Sequence, residues 1–380
     1  MKIVFDCRYT RFDQHDGISR YTAGIVTELA ALHPVTMLIS DHRQLALLPP
    51  LPWELVSSPT SAMEPFIART INRLKPDVVF SPMQTMGSWG RKYALLLTVH
   101  DLIYYSNRTP PRNLAWPIRA LWRLYHLSWW PQRMLLNRSD GVVTVSETTK
   151  KLIEDHKLTV KPITVVHNAA TSPAAPDMTR SMPSAGILVY MGSFMPYKNV
   201  DTLVRAAAAL PGYTLHLMSR IDDAERTRLT ALAPQANLVF HNGATDAEYL
   251  ELLQEATALV SASRDEGFGI PLVEAMNVGT PVITSDIAIF REIGGEAALY
   301  FDPDSPDELA ARVLQLSMPA EWATRSKRSV VQASRFTWAR SAKTLLAALE
   351  ETEAARRGAG SGATDAGAVS PTTARTAATD

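Results

Sequence analysis

The stretch Arg264-Asp-Glu-Gly-Phe-Gly-Ile-Pro-Leu-Val-Glu-Ala-Met276 decides how the rest of this chain is read. Two carboxylates, Glu266 and Glu274, bracket a tight Gly267-Phe-Gly269 turn and Pro271. The apolar run Ala258-Leu-Val260 ahead of them has the composition of a buried strand, and Pro271 suits the first turn of a helix carrying Leu272 to Met276. The chain therefore passes from strand to acidic glycine loop to helix N-terminus. Free backbone N–H groups and the helix dipole at such a terminus attract an anion such as phosphate. Two glutamates at this spacing occur by chance in a long chain. Weight comes instead from Gly267 and Gly269, which allow close approach to the backbone, and from Pro271, which fixes the helix start. One carboxylate before the site and one inside the helix suit a ligand with hydroxyls at both ends and a diphosphate between them. That is the chemistry of a nucleotide sugar.

Outward from this segment, short β-branched runs alternate with helical patterns. Twelve candidate strands form two sets of six. The first is Lys2–Phe5, Val35–Ile39, Asp77–Phe80, Leu95–Val99, Val142–Val145 and Ile163–Val166; the second is Ile187–Met191, Thr214–Met218, Leu238–Phe240, Ala258–Val260, Pro281–Thr284 and Ala298–Tyr300. Helical stretches such as Ser19–Leu32 and Asn199–Leu210 lie between them. This alternation predicts an α/β chain with two Rossmann-like, doubly wound parallel-sheet domains and an inter-domain cleft. The Pro/Ala/Ser run beginning Thr171-Ser-Pro-Ala-Ala-Pro176 reads as a linker. The predicted plan is a first domain over residues 1–170, a linker over 171–185 and a second domain over 186–335. A helix over 336–356 is expected to pack back on the first domain, and a Gly/Ala/Ser/Thr-rich tail over 357–380 to be disordered.

Composition agrees with this plan. A chain of 380 residues is long for one core, and 46% apolar with 20% charged residues is ordinary for a globular protein. A formal net charge of zero supplies no global field for nucleic acid. The single cysteine, Cys7, excludes a disulfide framework and fits a reducing compartment. The N-terminal apolar run is too short for a signal peptide, and no run reaches the roughly 18 residues of a membrane span, so a cytoplasmic location is expected.

Ligands of such sheets bind beyond the carboxyl ends of strands, so the strand-end loops carry the remaining candidates. In Asp13-Gln-His-Asp-Gly-Ile-Ser-Arg-Tyr21, Gly17 permits close approach and Ser19 is the expected N-cap. Val99-His-Asp-Leu102 presents His100 at the end of an apolar strand, where a histidine is more often structural than catalytic. Ser146 reads as a helix cap, and His167 and Asn168 end a further strand facing the cleft. In Val189-Tyr-Met-Gly-Ser-Phe-Met-Pro-Tyr-Lys-Asn199, Gly192 follows a strand and Lys198 precedes a helix. A lysine there opposes the helix dipole but can neutralise a diphosphate. Asp302-Pro-Asp304 imitates a metal motif, but Ser305 ahead of a helix makes capping the better reading. The histidines lack metal-ligand spacing, so neither metal nor cofactor is expected.

Residues 111–139 stand apart. Trp116, Trp122, Trp129 and Trp130 alternate with Arg112, Arg119, Arg123, Arg133 and Arg138, with no acidic residue among them. Two readings fit: an interfacial segment in peripheral contact with the inner face of a membrane, or tryptophan core packing with arginine stems toward solvent.

Taken together, Glu266-Gly-Phe-Gly-Ile-Pro-Leu-Val-Glu-Ala-Met276, Gly192-Ser-Phe-Met-Pro-Tyr-Lys-Asn199, Val99-His-Asp-Leu102 and Asp16-Gly-Ile-Ser-Arg20 resemble the retaining glycosyltransferases of family 4, with the GT-B fold, over about residues 1 to 345. The resemblance implies that Glu274 holds the donor ribose, while Glu266 and the Phe268, Gly269 and Ile270 backbone meet the donor sugar. It implies that Lys198 binds the diphosphate near Gly192 and Ser193, that His100 lies beside the transferred sugar, and that Gly17 approaches the donor phosphate or the acceptor. His100, Glu266 and Lys198 are thus the catalytic candidates, and Asp16, Arg20, Asp101 and Asn168 the acceptor-side ones. Asp16 replaces one of two family glycines, and Ser193 and Tyr197 stand where family arginines are common. Arg20 and Arg264 are candidates for the missing charge. The Pro-Tyr-Lys-Asn and Val-His-Asp-Leu variants resemble mannosyltransferase-like members, which favours GDP-mannose over UDP-sugars, with a glycan or lipid-linked acceptor. A noncatalytic nucleotide-sugar-binding or scaffold protein is the alternative from another class.

Overall fold

The structure is a computed structural model that describes residues 1–110, 116–170 and 180–365, with side chains through Gly358. The first sheet holds β1 (Ile3–Asp6), β2 (Val35–Ile39), β3 (Trp53–Leu55), β4 (Val78–Ser81), β5 (Ala94–Val99), β6 (Gly141–Thr144) and β7 (Ile163–Val165) in the order β3-β2-β1-β4-β5-β6-β7. The second holds β8 (Ile187–Tyr190), β9 (Thr214–Leu217), β10 (Leu238–Phe240), β11 (Ala258–Ser261), β12 (Val282–Ser285) and β13 (Leu299–Phe301) in the order β10-β9-β8-β11-β12-β13. Both sheets are parallel throughout, as in β5 on β4 and β12 on β11. Strands covered on both faces must be apolar along their length. β4, β5, β6, β11 and β12 are buried at every position. β3 escaped the apolar pattern because all three of its residues are exposed; as an edge strand it is defined by its pairing to β2.

The strand order reverses between β1 and β4 in one sheet and between β8 and β11 in the other. Loops leaving neighbouring strands at a reversal run to opposite faces and open a crevice at the carboxyl edge. These two crevices face each other across the domain junction.

The helix Gly17–Leu32 buries Tyr21, Ile25, Val26 and Leu29 against the first sheet. Its N-cap is Asp16, whose side chain accepts from the Ser19 N–H at 2.9 Å, so the helix starts two residues before the expected cap at Ser19. The last helix, Trp338–Asp365, returns from the second domain and adds Ala342, Leu345 and Leu349 to the same core. It does not stop near residue 357. Arg357 pairs with Glu353 one turn earlier and with Asp77 of the first domain at 3.2 Å, which carries the helix past the predicted boundary. Residues 171–179 of the predicted linker and 366–380 of the tail lie outside the described residues. Among the described residues no helix is long and apolar enough to cross a membrane.

Gly24 sets the spacing of the helix pair. A Cβ there would come within 2.4 Å of the Trp338 ring. Gly24→Val should force the last helix outward and lower stability by about 1–3 kcal/mol, as overpacking does. Urea unfolding followed by circular dichroism reads the change, and an unaltered midpoint would contradict this packing.

Candidate functional site

The two crevices join into one cleft of about 740 Å³, lined by His100, Glu266, Lys198, Glu274 and the other catalytic, donor-side and acceptor-side candidates, but not by His167 or Arg264. The loop carrying Glu266 lies close against the first domain. A Cβ on Gly267 would lie 2.6 Å from the His100 carbonyl oxygen and 2.9 Å from the Asp101 Cβ, so only glycine fits. The Gly267 carbonyl accepts from Ser146 Oγ at 3.1 Å, and the same hydroxyl caps the helix Glu147–Asp155. Glu292 reaches across from the second domain to that helix's N-terminus. It accepts from the Glu147 and Thr148 N–H groups, each at 2.8 Å, and from Thr148 Oγ1 at 2.6 Å. Burial alone would raise its carboxyl, but the bonds from His167, Thr148 and Glu147 outweigh burial and hold it below the usual range. His167 is thereby used at the junction: its Nε2 lies 3.5 Å from Glu292, and it is not among the cleft-lining residues.

On the second-domain wall, Gly192 follows the end of β8. A Cβ there would meet the Tyr190 hydroxyl at 2.7 Å, and that hydroxyl donates to the Ser193 carbonyl at 2.7 Å. Lys198 forms an ion pair with Glu266, whose Oε1 also accepts from Ser263 Oγ at 3.0 Å. Gly269, at φ 95°, turns the chain into the helix Ile270–Asn277, with Pro271 in its first turn. A Cβ on Gly17 would stand 3.8 Å from Ile270 Cδ1, so two helix N-termini from different domains converge on the cleft. The dipoles of the two helices make this end favourable for an anion. Burial raises the Glu274 carboxyl, with Arg20 opposing and Asp246 adding to the rise.

The first-domain wall is laid out by the end of β5. His100 Nε2 donates to the Pro82 carbonyl at 2.7 Å, and burial lowers the imidazole's pKa. A neutral ring with its proton on Nε2 keeps Nδ1 as an acceptor. Asn168 also lines the cleft, with its Oδ1 buried and unpartnered. Arg20 is tied to the second domain. Its Nη1 lies 2.9 Å from Glu274 Oε1, and its Nη2 pairs with Asp246, so it bridges the two domains. Arg264 is withdrawn from the cleft by its ion pair with Asp304. Ser305 caps the following helix through the Glu308 N–H at 3.2 Å. Among the described residues no group of three or more His, Cys, Asp or Glu side chains forms a metal cage.

Sequence reasoning missed Arg220, which lines the cleft just beyond β9 and has no carboxylate partner among the described residues. Gly243, at φ 100°, makes room for it, since a Cβ there would stand 2.6 Å from Arg220 Cγ. The available signals were the strand end Leu217-Met-Ser-Arg220 and the Asn242-Gly243 turn. Asp246 and Tyr249 were also missed: they sit on a helix that follows the partly exposed strand β10 and reads as solvated.

Burial, reinforced by Glu266 and Asp265, lifts the Asp101 carboxyl to about 6 against the opposing Ile103 N–H at 3.1 Å and Lys198. Its unfolded value is about 4, so the folded state binds this proton more tightly. The resulting stabilisation is full below about pH 4 and is lost as pH rises through about 6. Asp101→Asn can keep the bond from Ile103. It should raise the melting temperature near pH 7.5 and leave it almost unchanged near pH 4. Equal shifts at both pH values would contradict the assignment.

Residues 15–170 match the family model for Glycosyltransferase Family 4, and residues 180–351 that for Glycosyl transferases group 1. The chain is 26% identical over 302 residues to O-antigen chain mannosyltransferase RfbU of Salmonella typhimurium, covering 76% of this chain and 83% of that protein. It is 30% identical over 162 residues to O-antigen chain mannosyltransferase B of Escherichia coli, covering 40% of this chain and 42% of that one, less than half of the relative. The solved structure of Anabaena Alr3699/HepE in complex with UDP-glucose superposes with a TM-score of 0.67 at 16% identity, over 92% of this chain and 100% of that one. With one family model on each of two parallel-sheet domains, the chain belongs to the family 4 glycosyltransferases of the GT-B fold.

Proposed function

We propose that this protein is a retaining glycosyltransferase acting in the cytoplasm, which moves a sugar, mannose by preference, from a nucleoside diphosphate to a hydroxyl of a glycan or lipid-linked acceptor. The observation that carries this reading is the meeting, in one cleft, of the Glu266–Glu274 loop, Lys198 and two helix N-termini with the His100 strand end. Glu274 holds the ribose hydroxyls. Lys198, Arg220 and the N–H groups of the helices starting at Gly17 and Ile270 receive the diphosphate, and Arg220 supplies the charge that Ser193 and Tyr197 lack. Glu266 and the Phe268–Ile270 backbone address the sugar, and His100 accepts a sugar hydroxyl through Nδ1. GDP as the nucleotide is supported by the mannosyltransferase-like motif variants and by the likeness to RfbU.

In the transfer, the bond between the anomeric carbon and the leaving phosphate oxygen breaks, and the acceptor oxygen bonds to that carbon from the same face. The acceptor's proton passes to the departing phosphate oxygen. Charge grows on the diphosphate as the sugar becomes oxocarbenium-like, so fixed cations and N–H groups there lower the barrier. Domain closure excludes water and favours transfer over hydrolysis.

Glu274→Ala should weaken GDP binding by roughly 10- to 100-fold, whereas Glu266→Ala should bind GDP nearly normally and lose turnover. Arg220→Gln should lose in both. Calorimetric titration with GDP and a GDP-mannose consumption assay with cell-extract acceptors read the two effects. Identical behaviour of the two glutamate variants would sink the division of roles. A larger thermal shift with UDP than with GDP would move the donor to a UDP-sugar, and binding without transfer would make the protein a noncatalytic nucleotide-sugar binder.

A further inference from the structure

The segment from Trp116 to Ser139 divides its tryptophans in two. Trp122 packs edge-on against Tyr104 at 5.0 Å, and Trp129 stacks on Tyr105 at 3.7 Å, so these two fasten the segment to the first domain. Trp116 and Trp130 face outward, 80% and 64% exposed. The helix Trp116–Tyr125 buries none of its residues. Leu121 and Leu124 on it are 67% and 63% exposed, beside exposed Ile118 and Leu127. Soluble monomers rarely leave so many large apolar side chains together in water. Arg119 and Arg123, four positions apart, form a basic flank to this apolar face.

Charge indicates what covers it. The whole chain is formally neutral, yet residues 102–139 hold six arginines, no lysine and no acidic residue. Arg133 is engaged by the His156 and Lys157 carbonyls, while Arg123 and Arg138 stand exposed. An apolar face flanked by guanidinium groups matches the boundary of a bilayer with anionic headgroups, because the rings and leucines enter the acyl region and the arginines stay with phosphate. A protein partner would leave that cationic flank to be matched by acids of its own. We propose that this face docks the protein on an anionic phospholipid bilayer. Ile103 lines the cleft and Tyr104 packs on Trp122, so the docked surface lies next to the first-domain wall. Given the transferase reading above, the acceptor would then be presented from the lipid; the docking itself does not depend on that reading.

The test is flotation of the full chain with vesicles of phosphatidylcholine alone or mixed with phosphatidylglycerol. The native protein should float with the mixed vesicles at least about tenfold more than with neutral ones, and lose most of that binding at high salt. The double variant L121D/L124D, altered only at exposed positions, should keep its circular dichroism and melting temperature and stop floating. R119Q/R123Q should float less and keep its GDP-dependent thermal shift. Tryptophan emission should move to shorter wavelength on binding, and W116F/W130F should abolish that change. Equal binding to both vesicle types, absence of flotation, or undiminished flotation of L121D/L124D would overturn the proposal. So would a native dimer, seen by sedimentation, that L121D/L124D dissociates.

Discussion

Everything in the cleft depends on how closely the acidic glycine loop approaches the end of β5. With no side chain at Gly267, backbone of the second domain rests on the His100 carbonyl and Asp101 Cβ of the first, and even one methyl group would have to displace them. Ser146 and Glu292 fasten the same junction by satisfying a loop carbonyl and the N–H groups of a helix start. Such hydrogen bonds to charged or orphan backbone groups contribute about 1.5–3 kcal/mol each when shielded from water. Once the loop is fixed, Glu266 meets Lys198, Gly269 turns the chain, and the start of the helix that follows meets the start of the Gly17 helix.

The charges around this junction are mostly spoken for before any ligand enters. Lys198 is held by Glu266, and Arg20 by Glu274 and Asp246. A nucleotide that takes the Glu274 carboxylate must therefore share it with Arg20 or displace it, and a diphosphate competes with Glu266 for Lys198. Arg220 is different: among the described residues, no carboxylate is already paired with it. The acidic groups raised by burial, Asp101, Asp265 and Glu274, stand around the same cations. The proposed diphosphate would add its negative charge to this arrangement.

Much of this was legible in the sequence. Parallel strands buried on both faces must be apolar, and twelve runs of that kind were visible; β3 was not, because an exposed edge strand carries no such pattern. The motif residues share one cleft because strand-end loops of doubly wound sheets point to a single edge. What could not be read were contacts made in space alone. Arg20 crosses the domains, and Arg264 is captured by Asp304. Arg220 went unnoticed because its strand end has no flanking glycine; the glycine that shelters it, Gly243, lies on the next strand's loop. The tryptophan-rich segment gave two readings, and the fold packs Trp122 and Trp129 inward while Trp116 and Trp130 stay exposed.

Hydrogen–deuterium exchange with and without GDP tests the central claim most directly, because it reports which backbone amides a nucleotide covers. The account predicts slowed exchange at the amides of 192–199 and 267–274 and at the start of the Gly17 helix, with the outer strands of both sheets unchanged. No protection by GDP or UDP, or protection confined to surfaces away from these segments, would contradict it.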